Sequence, residues 1–167
     1  RSGALLKSIS VTAEGRLDLT NLDVLINSKT KVIAITHQSN VLGTINDLSK
    51  IVTRAKQVGA VVVLDACQSA PHMKIDVKEL DVDFVVFSAH KALGLLGTGV
   101  LWGKNLNALP PFLFGGSMIE SVSLDDATWA DAPARFEGGV PNVGGAVALA
   151  AAIEYLNAVG MEKIHNH

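Results

Sequence analysis

Short β-branched runs alternate with helical patterns along the first hundred residues, and this ordering constrains the fold more than any other feature of the chain. The segments Lys31 to Thr36, Ala60 to Asp65, Phe84 to Ser88 and Gly99 to Trp102 are apolar and bounded by turn residues. Runs of that kind predict buried strands, and a shorter one is expected at Ser8 to Val11. Between the first two runs, Thr44 to Val58 places Ile45, Leu48, Ile51, Val52 and Ala55 at helical spacing, with Gly59 where a helix stops. The result is a βαβ unit. Leu19 to Asn27 predicts a short helix, Asp76 to Leu80 a helical turn, and Asn142 to about Ile164 a long helix whose start is rich in small residues. Asn105 to Pro141 holds four of the five prolines and is expected to be irregular. Alternation of this kind predicts an α/β fold, three-layered, with a mostly parallel sheet and helices on both faces.

Composition narrows the range of partners. A chain of 167 residues that is 49% hydrophobic and 18% charged has enough apolar surface to form a core. Its formal net charge of -2 arises from 16 acidic and 14 basic side chains without long like-charge runs. That pattern points away from nucleic acid and anionic membranes and towards small molecules. The single cysteine, Cys67, has no intrachain partner for a disulfide, and no charged-then-apolar leader opens the sequence, so a cytoplasmic location is expected. Apolar stretches such as Ala60 to Leu64 and Ala146 to Ile153 fall short of the roughly 20 residues of a membrane span. The abrupt start at Arg1 and finish at His167 suggest a piece of something longer.

In open α/β sheets ligands bind at the carboxyl ends of the strands, which directs attention to the polar residues closing each run. The first run ends in Thr36-His37-Gln38-Ser39-Asn40, the second in Asp65-Ala66-Cys67-Gln68 and the third in Ser88-Ala89-His90-Lys91. One edge thereby gains a carboxylate, a lysine, amides and hydroxyls. A carboxylate after four apolar residues is costly to bury without a cation or strong donors. Pattern alone leaves a structural Asp65–Lys91 ion pair open beside a site that holds a cationic ring. Gly94 to Gly99 superficially resembles a phosphate loop, but it precedes a strand where a dinucleotide fingerprint comes after one. A tight connection into an antiparallel strand at Gly99 to Trp102 is the better reading. No metal-ligand spacing emerges. His72 reads as a loop residue, and His165 and His167 as a frayed end.

The segments Thr36 to Gly43 (T-H-Q-S-N-V-L-G), Asp65 to Ala70 (D-A-C-Q-S-A), Phe87 to Lys91 (F-S-A-H-K), Gly115 to Ile119 (G-G-S-M-I) and Arg135 to Asn142 (R-F-E-G-G-V-P-N) resemble, in order and spacing, consecutive blocks of the class V aminotransferases, fold-type-I enzymes that use pyridoxal 5'-phosphate (PLP). Within that family the likeness is to the SufS-like cysteine desulfurases and selenocysteine lyases. The resemblance implies that residues 1–167 form the central part of the PLP-binding large domain, without its N-terminal segment and the C-terminal small domain. It makes Lys91 the Schiff-base lysine and Asp65 the partner of the pyridinium nitrogen, whose charged form a carboxylate favours. Gln68 is then expected at the ring phenolate oxygen, Ser88 and His90 at the phosphate, and Asn40 near the substrate carboxylate and a cofactor oxygen. His37 receives no firm role.

The resemblance further implies a desulfurase that takes sulfur from L-cysteine, or selenium from L-selenocysteine, leaving alanine and an enzyme persulfide. A homodimer and a sulfur-acceptor protein in iron–sulfur cluster assembly are implied with it. One feature departs clearly from the family pattern, at Val140, and Cys67 needs separate treatment. Cys67 lies outside the later loop where the family keeps its persulfide cysteine, and reads as a buried packing residue. Val140 replaces a threonine that helps hold the phosphate across the dimer interface. Another class V reaction, such as transamination or epimerisation, and a non-catalytic remnant are the alternatives.

Overall fold

The computed structural model describes residues 3–167. Three parallel strands form its centre: β1 (Val32–Thr36), β2 (Val61–Asp65) and β3 (Phe84–Ser88), with β4 (Gly99–Gly103) added antiparallel to β3. Their order in the sheet is β1-β2-β3-β4. The four longer apolar runs expected to be strands are therefore present to within a residue, including the antiparallel turn-back after Gly94 to Thr98.

Register decides which side chains share a face. Ile35 pairs with Leu64 and Leu64 with Val85, while Ile33 pairs with Val62. Since side chains alternate across a strand, these five point to one side, and all are buried. The helix α1 (Leu22–Leu25) is a single turn, and α2 (Ser49–Val58) supplies Ile51, Val52 and Ala55 to cover that side. Gly59 ends α2 at φ 71, a left-handed conformation that costs glycine little. On the other side of the sheet lie Thr36, Asp65, Val86, Ser88 and Leu101 by the same alternation. That face is less covered, with Val32 60% and Leu101 50% exposed.

Several elements differ from expectation for identifiable reasons. Helix α2 starts at Ser49 instead of Thr44, because Ile45 bridges Gln38 and Asn46 binds the end of β1 through its N–H to His37 O (2.9 Å) and its side-chain amide to Thr36 O (2.8 Å). The strand expected at Ser8 to Val11 is reduced to one bridge between Val11 and Leu17. Asp76 caps the turn α3 (Val77–Leu80) by accepting the N–H groups of Lys78 and Glu79, which holds its carboxyl below the usual range. The stretch expected to be irregular contains a hairpin, β5 (Ile119–Val122) and β6 (Ala127–Trp129), turned at Ser123 and Asp126. The long helix is interrupted at Gly160, φ 95, giving α4 (Val143–Val159) and α5 (Met161–Asn166). Among the described residues no helix is long and apolar enough to cross a membrane.

Candidate functional site

Asp65 is the last residue of β2, and the ladder holds it from both sides. Its carbonyl accepts the N–H of His37 at 2.9 Å from β1, and the next residue, Ala66, donates to Val86 O of β3 at 2.9 Å. The backbone is thereby fixed as the side chain leaves the sheet. Asp65 Oδ1 accepts the N–H of Cys67 at 2.9 Å, and among the described residues Oδ2 has no hydrogen-bond partner. The carboxylate is half-buried. Asp65 and Lys91 form no ion pair among the described residues, so the structural-pair reading left open by the pattern has no support in the geometry.

Ser88 closes β3 on the same face as Asp65, two residues beyond Val86, the register partner of Asp65. Cys67 Sγ lies 3.6 Å from Ser88 Oγ and joins the ends of β2 and β3. Cys67 is half-buried, less enclosed than a core cysteine, because the strand ends open towards solvent there. A single 3-10 turn, Ala89–Ala92, comes after Ser88 and carries His90 and Lys91, both exposed. Ala89 and Ala92 are buried beneath it. The turn ends at Leu93 with φ 63, its N–H bonded to Ala89 O. Thr98 receives the Ala89 N–H on its carbonyl at 2.9 Å.

Gln68 sits half-buried in the turn after Asp65. Asn40 is exposed at the tip of the loop after β1, which Ser39 closes through its N–H to Thr44 O (2.9 Å) and its hydroxyl, which accepts from Leu42 N (3.1 Å). The structure thus gathers Asp65, Cys67 and Ser88 closely, places Gln68, His90 and Lys91 on adjoining turns of the same sheet edge, and leaves Asn40 on a separate loop. Val140 is 94% exposed and makes no contribution to this edge.

Three features were not assigned from the sequence. His37 is buried, with Nδ1 3.1 Å from Oγ of the fully buried Ser69. Gln38 Oε1 is a buried acceptor without a hydrogen-bond partner among the described residues, on the strand end beside Asp65. Thr98 and Asn142 are joined by a side-chain hydrogen bond of 3.0 Å. The signal for the first two lay in the T-H-Q-S-N run itself, where polar residues continue the alternation of β1. Arg135, by contrast, is committed to carbonyls: its Nε donates to Ala130 O at 3.0 Å and Nη1 to Asn107 O at 2.5 Å.

The donor set suits PLP: a half-buried carboxylate with a free oxygen, a hydroxyl beside it, and an exposed primary amine one turn further on. A probable cysteine desulfurase of Streptomyces coelicolor is 53% identical over the whole chain, which spans 40% of that relative. A cysteine desulfurase of Cronobacter sakazakii is 46% identical, again over the whole chain and 42% of its own length. The solved apo structure of a cysteine desulfurase from Thermococcus onnurineus NA1 superposes with a TM-score of 0.89 at 41% identity, covering 96% of this chain and 40% of the other. One from Escherichia coli gives a TM-score of 0.84 at 42% identity, covering 88% and 37%. With all of residues 1–167 matching the family described as aminotransferase class-V, the chain belongs to that family.

Proposed function

We propose that residues 1–167 form the central part of the PLP-binding large domain of a cysteine desulfurase, acting on L-cysteine or L-selenocysteine. The observation that carries this reading is Asp65: a half-buried carboxylate fixed by both neighbouring strands, with Oδ2 free at the edge that also bears Ser88 and Lys91. When bound, PLP supplies an electron-accepting ring for charge that develops at the substrate Cα. Asp65 would hold a proton on the ring nitrogen, since a neighbouring negative charge favours the protonated form. Ser88 and His90 would donate to the phosphate, Gln68 to the phenolate oxygen and Asn40 to a carboxylate.

Lys91 would anchor the cofactor aldehyde and, once released, carry a proton to or from the substrate carbon. Its exposure, and the absence of an ion pair to it among the described residues, suit both tasks. Cys67 meets Asp65 through its backbone N–H and Ser88 through a weak Sγ contact; we assign it to packing, with the sulfur taken by a different cysteine of the longer polypeptide. A cytoplasmic homodimer that passes sulfur to an acceptor protein for iron–sulfur cluster assembly completes the proposal. The desulfurase names of the relatives favour it over other class V reactions.

The test uses a polypeptide that carries this segment at the full length of its relatives. Supplied with PLP, cysteine and an excess of a dithiol reductant that converts the enzyme persulfide to thiol and sulfide, it should yield equal amounts of alanine and sulfide, with activity lost in Lys91→Ala. 3-Mercaptopyruvate, from transamination, or racemised cysteine in place of alanine would indicate a different class V reaction.

A further inference from the structure

His37 continues the alternation of β1 on the side opposite Asp65, because Ile33 and Ile35 precede it on the α2 face. It therefore cannot reach a ligand held on the Asp65 face. Yet it is a polar side chain left only 7% exposed, and among the described residues its side-chain partner is Ser69, which is itself fully buried. Ser69 Oγ also lies 3.5 Å from Ala66 O, to which it can donate; with the hydroxyl proton on that side, His37 Nδ1 is the donor to Ser69 Oγ. The chain of donors runs from the end of β1 into the first residue of the turn after β2. Ser69 also anchors the far end of that turn, its carbonyl accepting His72 N–H (3.0 Å) and Met73 N–H (2.9 Å), while Ala70 N–H closes it onto Ala66 O (2.8 Å). Between Ala66 and Ser69 stand Cys67 and Gln68.

We propose that the His37–Ser69 pair is a positioning device for the cofactor site: from the buried face of the sheet it fixes the Ala66–Ala70 turn, and with it the placement of Gln68 and the Asp65 carboxylate through the Cys67 N–H. This inference rests on the reading of the edge as a PLP site. An apolar residue at 37 would fill the same space but leave the Ser69 hydroxyl without its ring partner. Burial keeps the imidazole neutral by lowering its pKa, which preserves the donor–acceptor asymmetry that the pair requires.

The experiment compares wild type, His37→Leu, His37→Asn and Ser69→Ala in the full-length polypeptide. Asparagine places an amide nitrogen where Nδ1 stands, so it restores the donor without the ring. Two readouts are taken: hydrogen exchange at the Ala70 and Met73 amides, and the visible absorption band of the PLP-loaded protein. His37→Leu should speed exchange at those amides roughly fivefold, the equivalent of one ordinary hydrogen bond, and shift the band, and His37→Asn should reverse both. Ser69→Ala should reproduce the leucine phenotype, which keeps the test decisive if His37→Leu does not fold. Exchange and band unchanged in Ser69→Ala, or a folded asparagine variant that rescues neither, would overturn the proposal. If the wild type takes up no PLP, the cofactor reading fails by itself, and exchange alone then decides whether the pair fixes the turn.

Discussion

Asn142 donates from its side-chain amide to Thr98 Oγ1 at 3.0 Å, while its side-chain oxygen accepts the N–H of Gly145 at 3.0 Å. One residue therefore starts α4 and holds the loop leading from the Lys91 turn into β4. Because Thr98 O also receives the Ala89 N–H, the helix start, the loop and the turn bearing Lys91 form one connected unit.

Gly145 makes that connection sterically feasible. It is buried, and a Cβ built on it would overlap Thr98 Oγ1 and crowd the Asn142 side chain at 2.7 Å. Alanine is favoured over glycine within helices by about 1 kcal/mol, but overpacking costs typically about 1–3 kcal/mol, and here the displaced atoms are the helix cap itself. Gly145→Ala should lower stability by about 1–3 kcal/mol, read from urea midpoints. A midpoint equal to or above that of the wild type would show that the Thr98 loop is not held by Asn142.

Lys91 is the expected point of cofactor attachment. Its competitors are placed less favourably: Lys104 is committed to Asp81 at 2.6 Å, and Lys74 lies in the segment leading into α3, whereas Lys91 lies in the turn directly after β3. Borohydride treatment of the PLP-loaded full-length protein should fix the cofactor to Lys91, located by peptide mass mapping. Label recovered on Lys104 or Lys74 would sink the assignment.

Asp65 should matter for its charge more than for its shape. Asp65→Asn keeps an oxygen to accept the Cys67 N–H and leaves the backbone ladder intact, so the melting temperature should change little. Turnover should fall at least about a hundredfold, as when a preorganised electrostatic partner is lost. Near-normal kcat in a well-folded variant would make the carboxylate structural.

The central sheet was legible because each strand is short, apolar and closed by a polar residue, and because Gly59 and Gly94 to Thr98 mark the turns. Strand ends were also the best guide to the site, since Asp65, Ser88 and Lys91 stand where apolar runs stop. The start of α2 was not legible: Ile45 has helical spacing, but long-range pairing with Gln38 draws it into extended structure. The β5–β6 hairpin was hidden because Ile119, Ser121 and Val122 show no apolar alternation, all being exposed. Gly160 broke a helix whose periodicity continues through it. His37 could be noticed but not assigned, because its partner Ser69 lies 32 residues away on another element.

Cys67 tests how far proximity implies chemistry. Its sulfur approaches Ser88 Oγ at 3.6 Å, a weak contact, and its N–H, not its thiol, engages Asp65. Cys67→Ala preserves that N–H. Sulfide and alanine production in the full-length enzyme should stay within about twofold of wild type, in line with the small effect of losing one weak contact. Persulfide trapped on Cys67 during turnover would overturn this view.

The last prediction concerns acid. Burial disfavours the imidazolium of His37 and lowers its pKa below the ordinary value of 6.5. In the unfolded chain the same side chain titrates near that ordinary value. Well above it His37 is neutral in both states and contributes its full stability. As pH falls below about 6.5 the unfolded chain binds the proton first, so stability declines until the folded state also takes it up. The neutral variant His37→Asn lacks this linkage and shares the other titrating groups of the protein. The stability difference, wild type minus His37→Asn, measured by urea denaturation, should therefore be flat from about pH 8 to 7 and should move against the wild type between about pH 6.5 and 5. A difference that stays level across the whole range would mean that the folded protein protonates His37 as readily as the unfolded chain does, and that the ring is not enclosed between β1 and the Ser69 turn.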